Sequence, residues 1–204
     1  MGDPVRLAIV DELSLADRAP VELRRLLGVE SNLLAHHLDV LERVGVIGRR
    51  PSSGDGRRRY VQLEQAGLAE LWTGPRLAPQ PALFLCTRNS ARSQLAATLW
   101  TRLTKAPARS AGTHPATRVH PGAVAAAKRV GLDLGDAHPR AIDEGALEGV
   151  LVVTVCDRAH EELSAPPNWL HWSIADPAEH PTRRAFDATV AELRRRITSM
   201  VLAA

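Results

Sequence analysis

One short segment carries the residue types and spacing best suited to chemistry. Cys86 opens the run Cys86-Thr-Arg-Asn-Ser-Ala-Arg92-Ser93, with an apolar stretch over 82–85 before it and a helical pattern over 94–100 after it. A loop between a strand and a helix N-terminus presents successive backbone N–H groups, which can hold a tetrahedral oxyanion. The same field would stabilise a thiolate at Cys86, which predicts a nucleophile at neutral pH.

The other side chains of this loop have separate expected roles. Arg92 would hold two oxyanion oxygens in a bidentate fork, which a lysine could not do. Ser93 could donate a hydrogen bond to the sulfur while a bond to sulfur forms or breaks. The alternative is a buried cysteine that has an arginine near it by chance. The residues expected to contact the anion are Thr87, Arg88, Asn89, Ser90, Ala91 and Arg92.

Length and composition limit the classes of protein. The chain has 204 residues, 45% of them hydrophobic and 24% charged, which suffices for one domain or two small ones and excludes a disordered tail, a collagen-like repeat and a coiled coil. No apolar run reaches the ~18 residues of a membrane helix, and no secretory leader opens the chain. We therefore expect a cytoplasmic protein without a membrane partner. Two cysteines are too few for a disulfide framework, which favours a chemical role for them.

A stretch rich in proline and other turn formers, Thr73–Pro81, separates two patterns of different period. We predict a first domain over 1–73, a linker over 74–81 and a second domain over 82–204.

The first domain has helical periodicity. A helix over 20–27 begins with a proline and is ended by Gly28. A second helix runs from about Ser31 to Val44 and buries a stripe formed by Leu34, Leu38 and Leu41.

Two strands, 46–47 and 60–63, are predicted to follow around a flexible hairpin tip at 51–56. Residues 1–78 contain 11 arginines and 11 acidic residues, yet six of these arginines gather between positions 43 and 59 against Asp55 alone. Helix, turn, helix and arginine-flanked hairpin is the plan of a mostly α winged helix-turn-helix domain.

These residues carry a resemblance. The stretch Leu33-Leu-Ala-His-His-Leu-Asp-Val-Leu-Glu-Arg-Val-Gly-Val-Ile47, followed by Arg57-Arg-Arg-Tyr60, resembles the recognition helix and wing of arsenic-repressor-type transcription factors. The resemblance implies that the helix enters the major groove of double-stranded DNA and that the wing lies along the backbone. Arginines would neutralise phosphates, and two polar side chains of the helix could reach base edges. The expected DNA-binding residues are Asn32, His36, Arg43, Arg49, Arg50, Arg57, Arg58 and Arg59.

Two alternatives stay open for this domain: a small helical domain with a solvated basic hairpin, or a winged helix retained for dimerisation. Winged-helix repressors usually read two half-sites as symmetric dimers, so we expect a homodimer. The domain contains no cysteine, and the adjacent His36 and His37 point about 100° apart on a helix, so we expect no metal site there.

From Ala82 to the C-terminus the chain resembles the low-molecular-weight protein tyrosine phosphatases, in particular their arsenate reductase branch. Besides the Cys86 loop, the resemblance rests on residues 110–113, 119–121, 152–157 and 165–178. It implies a three-layer α/β sandwich with a four-stranded parallel sheet. The apolar run over 150–155 suits a strand buried on both faces, and the last helix, with Phe186, Val190, Leu193 and Ile197 at helical spacing, is expected to pack on that sheet.

The resemblance also implies further catalytic residues. Asp176, in the pair Asp176-Pro177, would be the general acid on a loop stiffened by the proline. Cys156 matches the second thiol of the thioredoxin-coupled reductases, whereas a third cysteine expected near Leu163 is absent. Three explanations stay open: a Cys86–Cys156 disulfide opened by an external reductant such as thioredoxin, attack by a small thiol such as mycothiol, or a Cys156 that is only a buried strand residue. No bound cofactor is expected.

One departure from the family pattern lies inside the loop. The family has glycine two residues after the nucleophile, where this chain has Arg88. An arginine there would be strained or would add a positive charge beside the oxyanion, and it could weaken turnover while retaining binding.

The leading hypothesis is an arsenate reductase-like enzyme fused to a winged-helix DNA-binding regulator, with an arsenate or phosphate oxyanion, a thiol reductant and DNA as partners. One alternative is a protein tyrosine phosphatase, although Ala178 stands where that branch has an aromatic residue. The other is a non-catalytic transcriptional regulator that senses arsenate or phosphate.

Overall fold

The computed structural model describes residues 3–64 and 74–201 of the chain. The end of the predicted first domain, including Thr73 at the start of the turn-rich stretch, lies outside the described residues. The N-terminal part contains helices α1 (Pro4–Leu15), α2 (Pro20–Leu27) and α3 (Ser31–Arg43), followed by strands β1 (Ile47–Pro51) and β2 (Arg59–Leu63). The two strands pair antiparallel as a hairpin. The predicted helix-turn-helix architecture is confirmed, and α1 is an additional helix.

Local sequence explains these helices. Gly28 has a φ of 63°, the left-handed conformation that closes a helix with little cost only at glycine, and its N–H caps α2. The predicted stripe of α3, Leu34, Leu38 and Leu41, is buried against Ile9 and Val10 of α1. The apolar faces of α1 and α3 therefore form the core of this part.

The C-terminal part begins with strand β3 (Ala82–Cys86) and continues through helix α4 (Arg92–Thr104), strand β4 (Ala108–Gly112) and helix α5 (Pro121–Arg129). A 3-10 turn (Glu144–Leu147) precedes strand β5 (Leu151–Thr154), helix α6 (Asp157–Glu162), strand β6 (Leu170–His171) and helix α7 (Arg183–Met200). All strand pairs are parallel, and the strand order is β4-β3-β5-β6. The four-stranded parallel sheet is thus confirmed.

The sheet is covered by apolar side chains from its helices. Phe84 of β3 packs between Trp100 and Trp172, and the four predicted apolar residues of α7 are buried. Cys86 ends β3, and Cys156 follows β5, the adjacent parallel strand. The carboxyl ends of parallel strands meet at one edge of a sheet, which is where ligands bind in open α/β sheets. The topology therefore brings both cysteines to the same edge.

The two parts of the chain are in direct contact. Trp172 donates its indole N–H to the carbonyl of Leu15 over 2.9 Å. Asp17, 1% exposed, accepts hydrogen bonds from the amide of Ser173 and from Gln62, and it pairs with Arg196 of α7 over 2.9 Å. A buried carboxylate is stable only when its oxygens are paired in this way. The described helices include none that combines the length and apolarity needed to traverse a bilayer.

Candidate active site

The nucleophile candidate lies in a closely bonded loop. Cys86 is 2% exposed, and its Sγ lies 3.0 Å from the hydroxyl of Ser93. The amide of Asn89 donates to the same sulfur over 3.2 Å. These two contacts fix the position of the sulfur within the loop. The predicted neighbours Cys86 and Ser93 are therefore brought together.

Asn89 organises this loop, a role that sequence reasoning did not assign when it placed the residue among the anion contacts. Its φ is 46°, and its side chain is fully buried. The amide group donates to Ser93 Oγ over 2.7 Å, while the carbonyl oxygen accepts from the backbone of Arg140 over 2.8 Å. Asparagine tolerates the left-handed conformation better than most residues because its side chain bonds locally. The signal was an Asn inside a turn-forming loop.

The left-handed conformation of Asn89 explains how the loop accommodates Arg88 where the family has glycine. The positive φ of the loop falls at Asn89, one residue later, so Arg88 carries no such backbone strain. The Arg88 side chain is exposed, and its carbonyl accepts from Ala116 over 2.9 Å. An arginine at this position was expected either to be strained or to add a positive charge. The structure shows the added positive charge and no strain at Arg88.

A close approach on the neighbouring strand supports the loop from below. At Gly112 a Cβ atom would lie 2.7 Å from the carbonyl oxygen of Thr87 and 3.0 Å from the backbone of Asn89. Only glycine leaves room for the loop backbone at this point. The sequence signal was the Ser110-Ala-Gly112 stretch at the end of β4.

Helix α4 begins immediately after the loop. Among the described residues, no side chain hydrogen-bonds the amides at its N-terminus. The first turn of a helix has free N–H groups and a partial positive charge. The end of α4 is therefore suited to an oxyanion.

Arg92 and Asp176 form the most direct contact of the site. Arg92, 6% exposed, donates through Nη2 to Asp176 Oδ2 over 2.6 Å and through Nη1 to the carbonyl of Ile174 over 2.9 Å. Asp176 Oδ1 accepts from the amide of Ala178, which fixes the carboxylate over the loop. The predicted general acid is thus held by the arginine that was expected to bind the anion.

Cys156 lies against the backbone of the nucleophile loop. Its Sγ accepts from the amide of Thr87 over 3.3 Å and from the amide of Ala159 over 3.4 Å, so it also caps α6. Burial raises the pKa of this thiol, which the nearby Arg92 only partly offsets, and the proximity of Cys86 raises it further. Cys156 is therefore a buried thiol in contact with Thr87, the residue that follows the candidate nucleophile Cys86.

A cavity of about 200 Å³ opens over these groups. Larger clefts of about 520 and 490 Å³ lie elsewhere on the described surface, but the cavity of about 200 Å³ is the one that Cys156 and Arg92 line. Three arginines and two acids contribute to its wall, which leaves it positive overall. Its lining residues are Ser53, Thr87, Arg88, Arg92, Cys156, Arg158, Asp176 and Glu179.

The hairpin of the N-terminal part reaches this cavity, which sequence reasoning did not predict. Ser53 donates to Asp157 Oδ2 through its amide over 2.7 Å and its hydroxyl over 3.0 Å. Asp157 Oδ1 lies 3.1 Å from Nε2 of the buried His171. Burial alone would raise the pKa of Asp157, but the hydrogen bonds from His171 and Ser53 bring it down to about 2. Asp157 is therefore ionised at neutral pH.

The predicted DNA-binding residues fall into two groups. The side chains of Asn32 and His36 on α3, together with those of Arg43, Arg57 and Arg59, are exposed. The remaining three are engaged with acids: Arg49 with Asp39 and Glu42, Arg50 with Glu64, and Arg58 with Glu22 and Glu161. Within residues 3–64 and 74–201, no cluster of three or more His, Cys, Asp or Glu residues could hold a metal ion.

The Cys86–Arg92 loop lies on a four-stranded parallel sheet, and this α/β part is joined to a helix-turn-helix part. A family model described as low molecular weight phosphotyrosine protein phosphatase matches residues 82–203, and a helix-turn-helix domain model matches residues 1–49. The chain therefore belongs to the low molecular weight phosphotyrosine protein phosphatase family.

Similar proteins agree with this assignment. An arsenate reductase of Brevibacillus brevis is 40% identical over 102 residues, which span 47% of this chain and 75% of the relative. An arsenate reductase of Halalkalibacterium halodurans is 37% identical over 102 residues, 47% of this chain and 73% of the relative. The solved structure of an arsenate reductase in the phosphate-binding state is similar with a TM-score of 0.51 and 26% identity, over 58% of this chain and 94% of that one. A tyrosine phosphatase from T. tengcongensis shares the fold with a TM-score of 0.52, at 23% identity, over 59% of this chain and 96% of that one.

Proposed function

We propose that the chain is a cytoplasmic arsenate reductase that carries its own winged-helix DNA-binding domain. The observation that carries the proposal is the hydrogen bond from the amide of Thr87 to Cys156 Sγ, because it holds a second thiol against the nucleophile loop. Ester hydrolysis needs only one thiol, whereas reduction needs a source of two electrons. Two thiols at one sheet edge supply such a source.

The first step uses the loop and the Asp-Pro segment. Arsenate enters the positive cavity and replaces Asp176 at Arg92 Nη2, which releases the Asp176 carboxyl towards the leaving oxygen. The Cys86 thiolate attacks arsenic while one As–O bond breaks. The departing oxygen enters as the hydroxyl of hydrogen arsenate and takes its second proton from Asp176, which is protonated once it has left Arg92, so that it leaves as water. Ser93, 3.0 Å from the sulfur, hydrogen-bonds it during the change.

The second step transfers electrons. A thiolate, from Cys156 or from an external thiol, attacks the sulfur of Cys86. An S–S bond forms, the S–As bond breaks, and its electron pair stays on arsenic, which leaves as arsenite. Two thiols together lose two electrons and arsenic gains two. An external reductant of the thioredoxin or mycothiol class then reduces the disulfide. This reductant does the work of the third cysteine that is absent near Leu163.

We further propose that the N-terminal domain binds double-stranded DNA as a homodimer. The exposure of Asn32 and His36 on α3 supports a role for their side chains in contacting base edges. The exposed arginines Arg43, Arg57 and Arg59 are free to contact phosphates. The neutral balance of residues 1–78 makes these arginines, rather than net charge, the source of affinity.

The experiment that tests the reductase is arsenite formation from arsenate by the purified chain, supplied with thioredoxin and its reductase or with mycothiol and mycoredoxin. We expect turnover with at least one system and none in Cys86→Ser. The matched variant Cys156→Ser keeps Cys86 and shows whether the disulfide with Cys86 forms through Cys156 or through an external thiol. Unchanged turnover in Cys86→Ser would contradict the proposal, and thiol-independent hydrolysis of an aryl phosphate would identify a phosphatase instead.

A second candidate function is an oxyanion sensor without turnover. The contact between Ser53 of the hairpin and Asp157 beside Cys156 favours it, because this contact joins the DNA-binding domain to the cavity. Under this function inorganic phosphate or arsenate changes DNA affinity while no arsenite is formed.

A further inference from the structure

The tip of the wing, residues 52–55, is bound to helix α6. Ser53 gives Asp157 two hydrogen bonds, of 2.7 Å and 3.0 Å. Ser52 Oγ and the amide of Asp55 each donate to a carboxylate oxygen of Glu161 over 2.7 Å. Hydrogen bonds to ionised carboxylates are the stronger kind. Two acids of α6, one at each end, are therefore held by the wing tip.

Gly54 shows how closely the two backbones approach. A Cβ atom at Gly54 would lie 3.0 Å from both the N and the Cα atoms of Arg158. These are backbone atoms of α6, so a side-chain rotation cannot relieve the contact. At Gly56, one residue beyond the wing tip, a Cβ atom would meet nothing within 4 Å. The hairpin is thus packed against α6 at Gly54, inside the wing tip, and has open space at Gly56, just after it.

Helix α6 connects the wing tip to the nucleophile loop. Cys156 is its N-cap, and the same sulfur accepts the amide of Thr87 from the nucleophile loop. Arg158, directly under Gly54, lines the cavity together with Ser53 and Arg92. Displacing the wing would leave the ionised Asp157 without two of its hydrogen bonds, one residue from Cys156.

We propose that the wing tip is a wall of the oxyanion site, contributed by the DNA-binding domain. Ser53 is a positioning residue: through Asp157 it fixes the N-terminus of α6, and thereby the direction in which Cys156 and Arg158 face the anion. The proposal rests on the oxyanion site proposed at Cys86. It assigns a role in anion binding to residues outside the phosphatase-family domain.

The test compares Gly54→Val with Gly56→Val in the full chain. The rate at which iodoacetamide alkylates Cys86 is measured at rising concentrations of inorganic phosphate, with the Cys86 and Cys156 peptides separated by mass spectrometry. We expect phosphate to protect Cys86 in the wild type. The concentration for half-protection should rise about tenfold in Gly54→Val, the effect expected when hydrogen bonds to a charged group are lost, and stay unchanged in Gly56→Val.

A second pair of variants separates positioning from general stability. Ser53→Ala should raise the half-protecting phosphate concentration about threefold to tenfold, and Ser53→Thr, which keeps the hydroxyl, should restore the wild-type value. Melting temperatures recorded in parallel confirm that each variant is folded, and a merely structural role would change them without changing the half-protecting concentration.

The outcomes distinguish this inference from the reductase. Equal half-protection in wild type and Gly54→Val overturns the role of the wing tip and leaves the reductase intact. No protection in the wild type overturns both the oxyanion site and the wing-tip wall. Protection that weakens in Gly54→Val, in a protein that forms no arsenite, supports the wing-tip wall and removes the reductase.

Discussion

The backbone amide of Thr87 points at the sulfur of Cys156, not at the sulfur of its neighbour Cys86, and the N···S distance is 3.3 Å. The residue that follows the nucleophile therefore binds the second thiol. Since burial raises the pKa of Cys156, this thiol is protonated at rest and must lose its proton before it can attack.

The raised pKa of Cys156 predicts a pH dependence. In a Cys86→Ser background, iodoacetamide should alkylate Cys156 more slowly than an unfolded cysteine, and the rate should rise with pH at higher pH than for a free thiol of pKa ~8.5. The measurement is the alkylation rate across pH 7 to about 10.5 under native conditions and in urea. Coincident native and urea profiles would show that burial does not suppress this thiolate.

Asp157 predicts a loss of stability in acid. Its pKa of about 2 in the folded chain lies below the ordinary value of 3.8, so its ionised form stabilises the fold above pH 4. This contribution, roughly 2 kcal/mol, should disappear as the pH falls from about 4 to 2. Urea unfolding at pH 7 and pH 3 should show Asp157→Asn as destabilised at pH 7 and closer to wild type at pH 3.

The exposed Asp136 provides the control for that experiment. Asp136→Asn should change the unfolding free energy by less than about 0.5 kcal/mol at both pH values. A constant difference between wild type and Asp157→Asn at the two pH values would contradict the linkage.

The buried pair of Asp17 and Arg196 predicts a large effect from a single substitution. Asp17→Ala would leave the guanidinium of Arg196 buried, with Glu192 as its one remaining carboxylate partner among the described residues, and would leave the amide of Ser173 without its acceptor. We expect a loss of about 3 kcal/mol in the unfolding free energy. The half-exposed Asp187, paired with Arg129 on the surface, gives the comparison, because Asp187→Ala should cost less than about 1 kcal/mol. Similar losses in the two variants would show that Asp17 does not join the two parts.

Some arginines of the N-terminal part are exposed and others are paired with acids, which predicts unequal effects of their substitution on DNA binding. Arg57→Ala and Arg59→Ala should each weaken binding to duplex DNA and lower the slope of log affinity against log salt by about 1. Arg49→Ala should change the slope less, because Arg49 is paired with Asp39 over 2.7 Å. Fluorescence anisotropy at several salt concentrations measures the slopes. Arg183→Ala, on an exposed position of α7, is the control, and equal slopes in all four variants would contradict a wing on the phosphate backbone.

Much of the site followed from local sequence. The strand–loop–helix order around Cys86 and the leucine stripe of α3 are encoded in short stretches of chain, where period and spacing determine the geometry. The Asp176-Pro177 pair was predicted only from the family resemblance. Arg88 was harder, because sequence alone does not show which residue of a loop takes the positive φ, and here it is Asn89. The contact between Ser53 and Asp157 joins residues 104 positions apart. It depends on how two domains pack, which no local pattern encodes.

The docked wing has a thermodynamic consequence for the whole chain. A hairpin that is hydrogen-bonded to α6 presents its arginines at an angle set by the catalytic domain. Any ligand that prefers the docked arrangement to the undocked one shifts the affinity for DNA by the ratio of its two binding constants, and DNA shifts the affinity for that ligand by the same factor. The two proposed activities of this chain would thus be coupled through one equilibrium between the docked and the undocked wing.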